Sequence, residues 1–163
     1  MSIANPRVLP REPVRPTNRP RKRVITGFGI GLLFVLGFAL FMHENFQIVQ
    51  VSGDSMLPNL PNGTRVLVTQ AYWLVGGLRD NDVVVVQGGS PNEFIIKRVK
   101  ALAGETVDFE NVPDSHPLGA GDYVVPQGMI YVLGDNLKVS EDSRSLGPFS
   151  LSKVIGKVVV APR

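Results

Sequence analysis

The chain contains no cysteine, and its two histidines, His43 and His116, lie far apart. Thiol nucleophiles, disulfides and Cys-ligated zinc are thereby excluded, and a His-rich metal site has too few ligands. The stretch VSGDSMLPNL, residues 51–60, sets Ser55 between a Gly-Asp pair and a Met-Leu-Pro turn. A serine hydroxyl titrates far above neutral pH and attacks only when a base takes its proton. No histidine lies near it in sequence, so the base has to come from elsewhere.

Lys97, in EFIIKRVK, is one source. If this run is a strand, Ile95, Lys97 and Val99 share one face while Ile96 and Arg98 share the other. A lysine among apolar neighbours either snorkels at a sheet edge or is buried. Spacing alone favours the solvated edge lysine. Burial would disfavour the charged form and lower the pKa. Bringing a free amine from about 10.4 to near neutrality makes it a usable base and costs the fold about 3–4 kcal/mol. A third loaded stretch is LGDNLKVSEDSRSLGPF, residues 133–149, which gathers Ser140, Asp142 and Arg144 in one polar loop. Taken by itself it is a turn with an Asp-Arg pair to hold it.

These groups need elements to position them. Residues 24–42, VITGFGIGLLFVLGFALFM, carry no charge. As a helix they span about 28 Å, close to the roughly 30 Å hydrocarbon thickness of a bilayer. Seven basic residues and one acid precede or begin this run, and ten basic residues and thirteen acids follow it. The high pI thus belongs to the N-terminus, and the cluster RPRKR predicts that this end stays in the cytoplasm. The run is longer than the apolar region of a cleaved signal peptide, and FALFMHENF offers no small-residue cleavage pattern, so an uncleaved signal anchor is expected. Residues 1–23 are rich in Pro and Arg and are expected to be a disordered tail. Residues 43–163 form the remaining domain. There, short β-branched runs alternate with Gly, Pro, Asn and Asp: FQIVQVS, TRVLVTQAYWLV, DVVVVQ, EFIIKRVKALA, ETVDFE, DYVV, MIYVLG and KVIGKVVVA. The expected fold is mainly β, a small β-sheet or barrel core behind one N-terminal transmembrane helix.

In order along the chain, four stretches resemble the motifs of the type I signal peptidases, membrane-anchored serine proteases with a Ser-Lys dyad. VSGDSMLP resembles the serine box S-G-x-S-M-x-P. RDNDVVVV resembles the R-G-D-(I/V)-V strand, with Asn81 where glycine is usual; asparagine tolerates a left-handed backbone. IIKRVKALAGE resembles K-R-x-x-G-x-P-G-D, with Ala101, Ala103 and Glu105 in place of Gly, Pro and Asp. GDNLKVSEDSRSLGP resembles G-D-N-x-x-x-S-x-D-S-R-x-x-G. The resemblance covers roughly residues 24–160.

The resemblance implies that Ser55 is the nucleophile and Lys97 the general base. Ser140 would hydrogen-bond the amine and orient it, and Asp142 with Arg144 would support the loop. The Ser55 N–H is one oxyanion donor. The position where some members carry a second, hydroxyl donor is Gly53, and Ser52, one residue away, is expected to point elsewhere. Small residues at the −1 and −3 positions of a signal peptide would enter shallow apolar pockets, with Val49, Val51, Met56 and Ile96 placed there. The peptide would add as a strand beside residues 49–54 and 93–97. The partners implied are secretory preproteins and the lipid bilayer, with no nucleic acid, no metal and no cofactor, and a monomer is expected. The implied location is a bacterial plasma membrane, crossed once, with the catalytic domain on the outer face. Asp54 reads as a turn residue, His43 and His116 as interfacial or solvated, and Trp73 as core or lipid-facing.

Two other functions fit parts of the pattern. Self-cleaving repressors share a G-x-S-M serine and a strand lysine, but they cut an Ala-Gly bond ahead of the serine. Here Ala103-Gly104 and Ala120-Gly121 both follow it. A non-enzymatic anchored β-module would have no use for Ser55 and Lys97 in matching boxes.

Overall fold

A run with no polar face can be satisfied only by apolar surroundings. In the computed structural model, which describes residues 22–90, 93–117 and 119–161, this run lies within helix α1, Lys22–Asn45. From Phe28 to Leu40 its large apolar side chains stand exposed, and from Gly27 to Asn45 it is long and apolar enough to cross a membrane. The helix ends where Asn45 Nδ2 bonds the Phe41 carbonyl at 2.9 Å. The basic tail before it, to residue 21, lies outside the described residues. The chain divides into two units, residues 1–38 and 39–163.

The second unit is an antiparallel β structure. Its strands are β1 (Phe46–Gln50), β2 (Arg65–Thr69), β3 (Val83–Gln87), β4 (Phe94–Leu102), β5 (Thr106–Val107), β6 (Tyr123–Val124), β7 (Met129–Leu133), β8 (Phe149–Ser150) and β9 (Val154–Val160). Seven form one sheet in the order β1-β2-β9-β3-β4-β7-β8, and β5-β6 form a separate pair. The expectation of a mainly β fold with a small sheet core is met. The consecutive valines of β3 explain its central place. Val85 packs into one core cluster with Val51, Met56, Leu60, Val66, Val68 and Ile96. Val84 and Val86 pack into another with Val99, Ile130, Val132 and Phe149. A strand buried on both faces reads as a continuous apolar run.

Two departures from the sequence expectation matter. TRVLVTQAYWLV does not continue as one strand: β2 ends at Thr69, and Tyr72–Val75 coil into a 3₁₀ turn. The turn begins where Thr69 Oγ1 accepts from the Ala71 N–H at 3.2 Å. The strand's own threonine thus draws the backbone out of the ladder. The polar loop also holds a short helix, α2 (Ser143–Leu146), with Asp142 as its N-cap.

The register of β4 decides the site. Lys97 pairs with Val84 on the β3 side. On its other side, β4 meets β7 only from Arg98, opposite Leu133. Among the described residues, the first residues of β4 therefore have no strand neighbour on that edge.

Candidate active site

Val51 and Met56 are buried in the first core cluster, so both ends of the serine segment are anchored while Ser55 is left between them. Gly53 takes a positive φ of 87°, which favours glycine over any residue with a Cβ. The next strand neighbour fixes the loop from outside. The Asn136 N–H donates to the Ser55 carbonyl at 2.9 Å, and Asn136 Nδ2 donates to the Asp54 carbonyl at 3.2 Å. Gly134 completes the seat: a Cβ there would meet Ser140 and lie 2.6 Å from the Ser55 carbonyl. Only a residue without a side chain lets the two segments approach this closely.

Against this loop stands Lys97, whose Nζ lies 2.8 Å from Ser55 Oγ. Lys97 is only 4% exposed. Burial lowers its pKa from the usual 10.5, while the charges of Asp142 and Glu141 pull the other way. The strand alternation holds: Val84, its cross-strand partner, belongs to the cluster containing Val99, with Ile95 against it. The Ser55 N–H donates to no group among the described residues. A hydroxyl, an amine held toward its neutral form and an unengaged N–H beside them have the chemistry that acyl transfer needs when lysine stands in for imidazole.

The supporting loop is built around Asp142, which is fully buried. It accepts from Arg144 Nε at 2.9 Å, from an Arg144 terminal nitrogen at 3.1 Å and from the Gly134 N–H at 3.1 Å. Burial opposes its charge, but the Arg144 guanidinium and the Gly134 N–H outweigh it and hold the carboxyl below its usual range. Arg144 also donates to the Leu137 carbonyl at 2.8 Å, which closes the loop.

The model of the family described as "Signal peptidase, peptidase S26" matches residues 21–114 and 112–161. The chain belongs to the signal peptidase family. Signal peptidase IB of Staphylococcus aureus (strain COL) is 31% identical over 163 residues, covering 79% of this chain and 83% of its own. Signal peptidase I of Bacillus amyloliquefaciens is 28% identical over 155 residues, covering 79% and 80%. A solved signal peptidase I from Enterococcus faecalis V583 is 24% identical, covering 50% of this chain and 97% of its own, with a TM-score of 0.40. Membership makes the protein a serine protease.

Within this signal peptidase, the structure brings Ser55 and Lys97 together, and Asp142 with Arg144. Val51, Met56 and Ile96 line a cleft of about 90 Å³ with Ser55 and Lys97. Val49 does not line it. It lies in a second cleft of about 70 Å³ with Gln47, Val68, Val85 and Ile155. Phe94 lines both clefts and joins them. Ser52, expected to point elsewhere, lines the Ser55 cleft. Ser140 departs from expectation: its Oγ is buried without a well-formed hydrogen bond, although it lies close enough to Asp142 to favour the carboxylate charge. The bond to Lys97 is not made. The hydroxyl sits instead in the space that a side chain on Gly134 would fill.

Sequence reading missed Asp135 and Arg98. Arg98 donates two bonds of 2.7 Å to the Asp135 carboxylate and one of 2.8 Å to the Asn81 carbonyl. Asn59 Nδ2 donates to the same carboxylate at 2.8 Å. This network ties all four motif stretches together. Asn81, at φ 67°, presents its carbonyl from the left-handed conformation that its residue type permits. The signal was present in sequence, since Arg98 follows the lysine and Asp135 follows Gly134.

Proposed function

We propose that Ser55 and Lys97 form a catalytic dyad that cleaves signal peptides from exported preproteins after small residues at −1 and −3. One observation carries the reading: a buried lysine amine 2.8 Å from a serine hydroxyl, both lining one small cleft. Neutral Lys97 takes the Ser55 proton as Oγ attacks the scissile carbonyl carbon. The tetrahedral oxyanion forms against the Ser55 N–H. The protonated amine then gives its proton to the leaving nitrogen, and the peptide bond breaks to leave an acyl-enzyme. Water, deprotonated by Lys97, repeats the attack and frees Ser55.

The clefts support the specificity. A peptide extended along the open edge of β4 turns alternate side chains to one side, so −1 and −3 project together. The Ser55 cleft, about 90 Å³, receives −1, and the Val49 cleft, about 70 Å³, receives −3. A liquid water occupies about 30 Å³, so each holds only a small side chain. Gln50, Val51 and Ser52 flank one side of the first cleft and Phe94 to Lys97 the other, which suits a strand added between them. Ser52 lines the same cleft, and its hydroxyl is the one we assign as second donor to the oxyanion beside the Ser55 N–H. Asp142 and Arg144 hold the loop. Ser140 is the residue we assign to orient Lys97, since its buried Oγ has no well-formed partner and an unpartnered hydroxyl costs about 1–3 kcal/mol.

Helix α1 anchors the chain in a bacterial plasma membrane, with the basic N-terminus inside and the protease domain outside. The test is cleavage of a purified preprotein by detergent-solubilised wild type and by Ser55→Ala and Lys97→Met. Cleavage at the signal-peptide junction by the wild type alone is expected. Undiminished cleavage by Ser55→Ala would remove the dyad.

A further inference from the structure

Past Ser55 the serine segment opens onto another, wider cleft. Leu57, Pro58, Asp135, Asn136, Leu137 and Lys138 enclose about 460 Å³, against about 90 Å³ for the cleft of Ser55 and Lys97. Ser55 and Met56 line the smaller cleft, and Leu57 and Pro58, next along the chain, line the wider one. Ser55 therefore stands between two clefts rather than at the end of one. One wall of the wider cleft is tied down. The Asn136 N–H holds the Ser55 carbonyl at 2.9 Å, the Val139 N–H returns to the Asn136 carbonyl at 3.3 Å, and Arg144 holds the Leu137 carbonyl at 2.8 Å. Lys138 is carried on this fixed turn.

The charge of the cleft is one-sided. Asp135 is matched by two bonds of 2.7 Å from Arg98 and one of 2.8 Å from Asn59. Lys138 is exposed and takes part in no ion pair among the described residues. Asp54 and Glu141 are exposed and close in sequence, but neither lines the cleft. One ammonium is left without a counter-charge. Alternation indicates which residue of a substrate meets it. Side chains of an extended peptide point to opposite sides in turn. With −1 and −3 projecting into the two small clefts, +1 points away and +2 returns to the side of −1. At about 3.3 Å per residue it stands about 7 Å beyond −1, past the scissile bond. A cleft of about 460 Å³ does not select by size as the small clefts do, whereas a lone ammonium selects by charge.

We propose that this cleft receives the +2 side chain of the mature protein, and that Lys138 makes the position favour a carboxylate over a cation. The proposal rests on the Ser55–Lys97 reading and on the peptide path given with it. The +2 residue departs with the leaving amine, so Lys138 acts on formation of the acyl-enzyme and not on its hydrolysis.

Three preprotein substrates that share one signal peptide and differ only at +2, with Asp, Ser or Lys, test this with the detergent-solubilised full chain. For the wild type, kcat/KM should fall in the order Asp, Ser, Lys. The extremes should lie about three- to tenfold apart, as one exposed charge contact allows, and should converge as salt is raised. Lys138→Glu should reverse the order, and Lys138→Ala should bring the three together. Equal wild-type kcat/KM on all three substrates overturns the proposal and leaves the dyad standing. An order unchanged in Lys138→Glu assigns the preference to another group and overturns it. A loss in Lys138→Glu that is the same for every substrate makes Lys138 a structural residue and also overturns it. Cleavage by Ser55→Ala as fast as by the wild type, or no cleavage by the wild type, overturns the dyad reading and the proposal with it.

Discussion

In the proposed dyad, Lys97 is where energetics and chemistry meet, because the burial that would make it a base also weakens the fold. In the unfolded chain its amine titrates at the ordinary value of 10.5, and in the folded chain burial lowers that value against the pull of Asp142 and Glu141. Between the two values the unfolded chain binds a proton that the folded chain does not, so stability rises with pH across that window. Below the folded value both states bind it, and the full penalty is present. Above about 10.5 neither binds it, and the penalty is gone. Each unit of lowering corresponds to about 1.4 kcal/mol. The same folded value governs the rising limb of kcat/KM, because only neutral Lys97 accepts the Ser55 proton. The two measurements therefore constrain each other. The distance in pH units from the midpoint of the limb to 10.5, multiplied by about 1.4 kcal/mol, should equal the pH-dependent stability that disappears in Lys97→Met. The assay is cleavage of a signal-peptide substrate from about pH 6 to 11, with urea unfolding of the detergent-solubilised protein over the same range. Lys97→Met should lose about 10²–10⁴ in kcat/KM. Lys97→Arg should be inactive at every pH, since guanidinium stays protonated. A limb centred at the free-lysine value, a Lys97→Arg enzyme of near-normal activity, or equal pH profiles of stability in wild type and Lys97→Met would refute the reasoning.

Other perturbations probe the surroundings of the dyad. Gly134→Ala places a Cβ 2.6 Å from the Ser55 carbonyl, so the serine loop must move by about 1 Å, and kcat/KM should fall about 10²-fold while KM changes little. Arg98→Lys keeps the charge but loses the two-pronged bond to Asp135; thermal or urea unfolding should show a loss of about 1.5–3 kcal/mol. Arg144→Ala leaves Asp142 buried without its cation, and a loss of about 3 kcal/mol in stability should accompany a shift of the activity limb to higher pH, because the uncompensated carboxylate favours protonated Lys97. A shift to lower pH would contradict that account.

The legible parts of this protein were those set by composition and local pattern. An uncharged run of helical length announced α1, and β-branched runs between turn residues announced the strands. The breaks in the pattern have specific causes. AYWLV carries strand residues, yet Thr69 bonds the Ala71 N–H and positive-φ Gly76 and Gly77 turn the chain away. β8 is only two residues long and has no period to read. For Lys97, alternation gave the face but not the burial. Burial depends on β7 pairing only from Arg98 and on the serine loop covering the amine, and neither is written locally. The missing Ser140 bond has the same origin, since its position is fixed by a glycine six residues earlier.

The two aspartates of the last motif divide the work of holding the site. The hydrogen bonds of Asp142 are all short-range: they reach Gly134 and Arg144 and shape one loop. Asp135 reaches across the fold, to Arg98 on the lysine strand and Asn59 beyond the serine, and through Arg98 to Asn81. Ser55 on a loop and Lys97 on a strand can be held 2.8 Å apart only if something fixes loop to strand. Local closure around Asp142 cannot do this, because neither Ser55 nor Lys97 bonds to that loop's ion pair. The Asp135 network does it directly, together with the Asn136 N–H on the Ser55 carbonyl. It also does so at small electrostatic cost. Burial opposes the charge of Asp135, but Arg98 and Asn59 hold it ionised, so its charge is matched by the guanidinium beside it. Lys97 then feels mainly its own desolvation, and the geometry of the dyad is fixed without forcing its amine to stay charged.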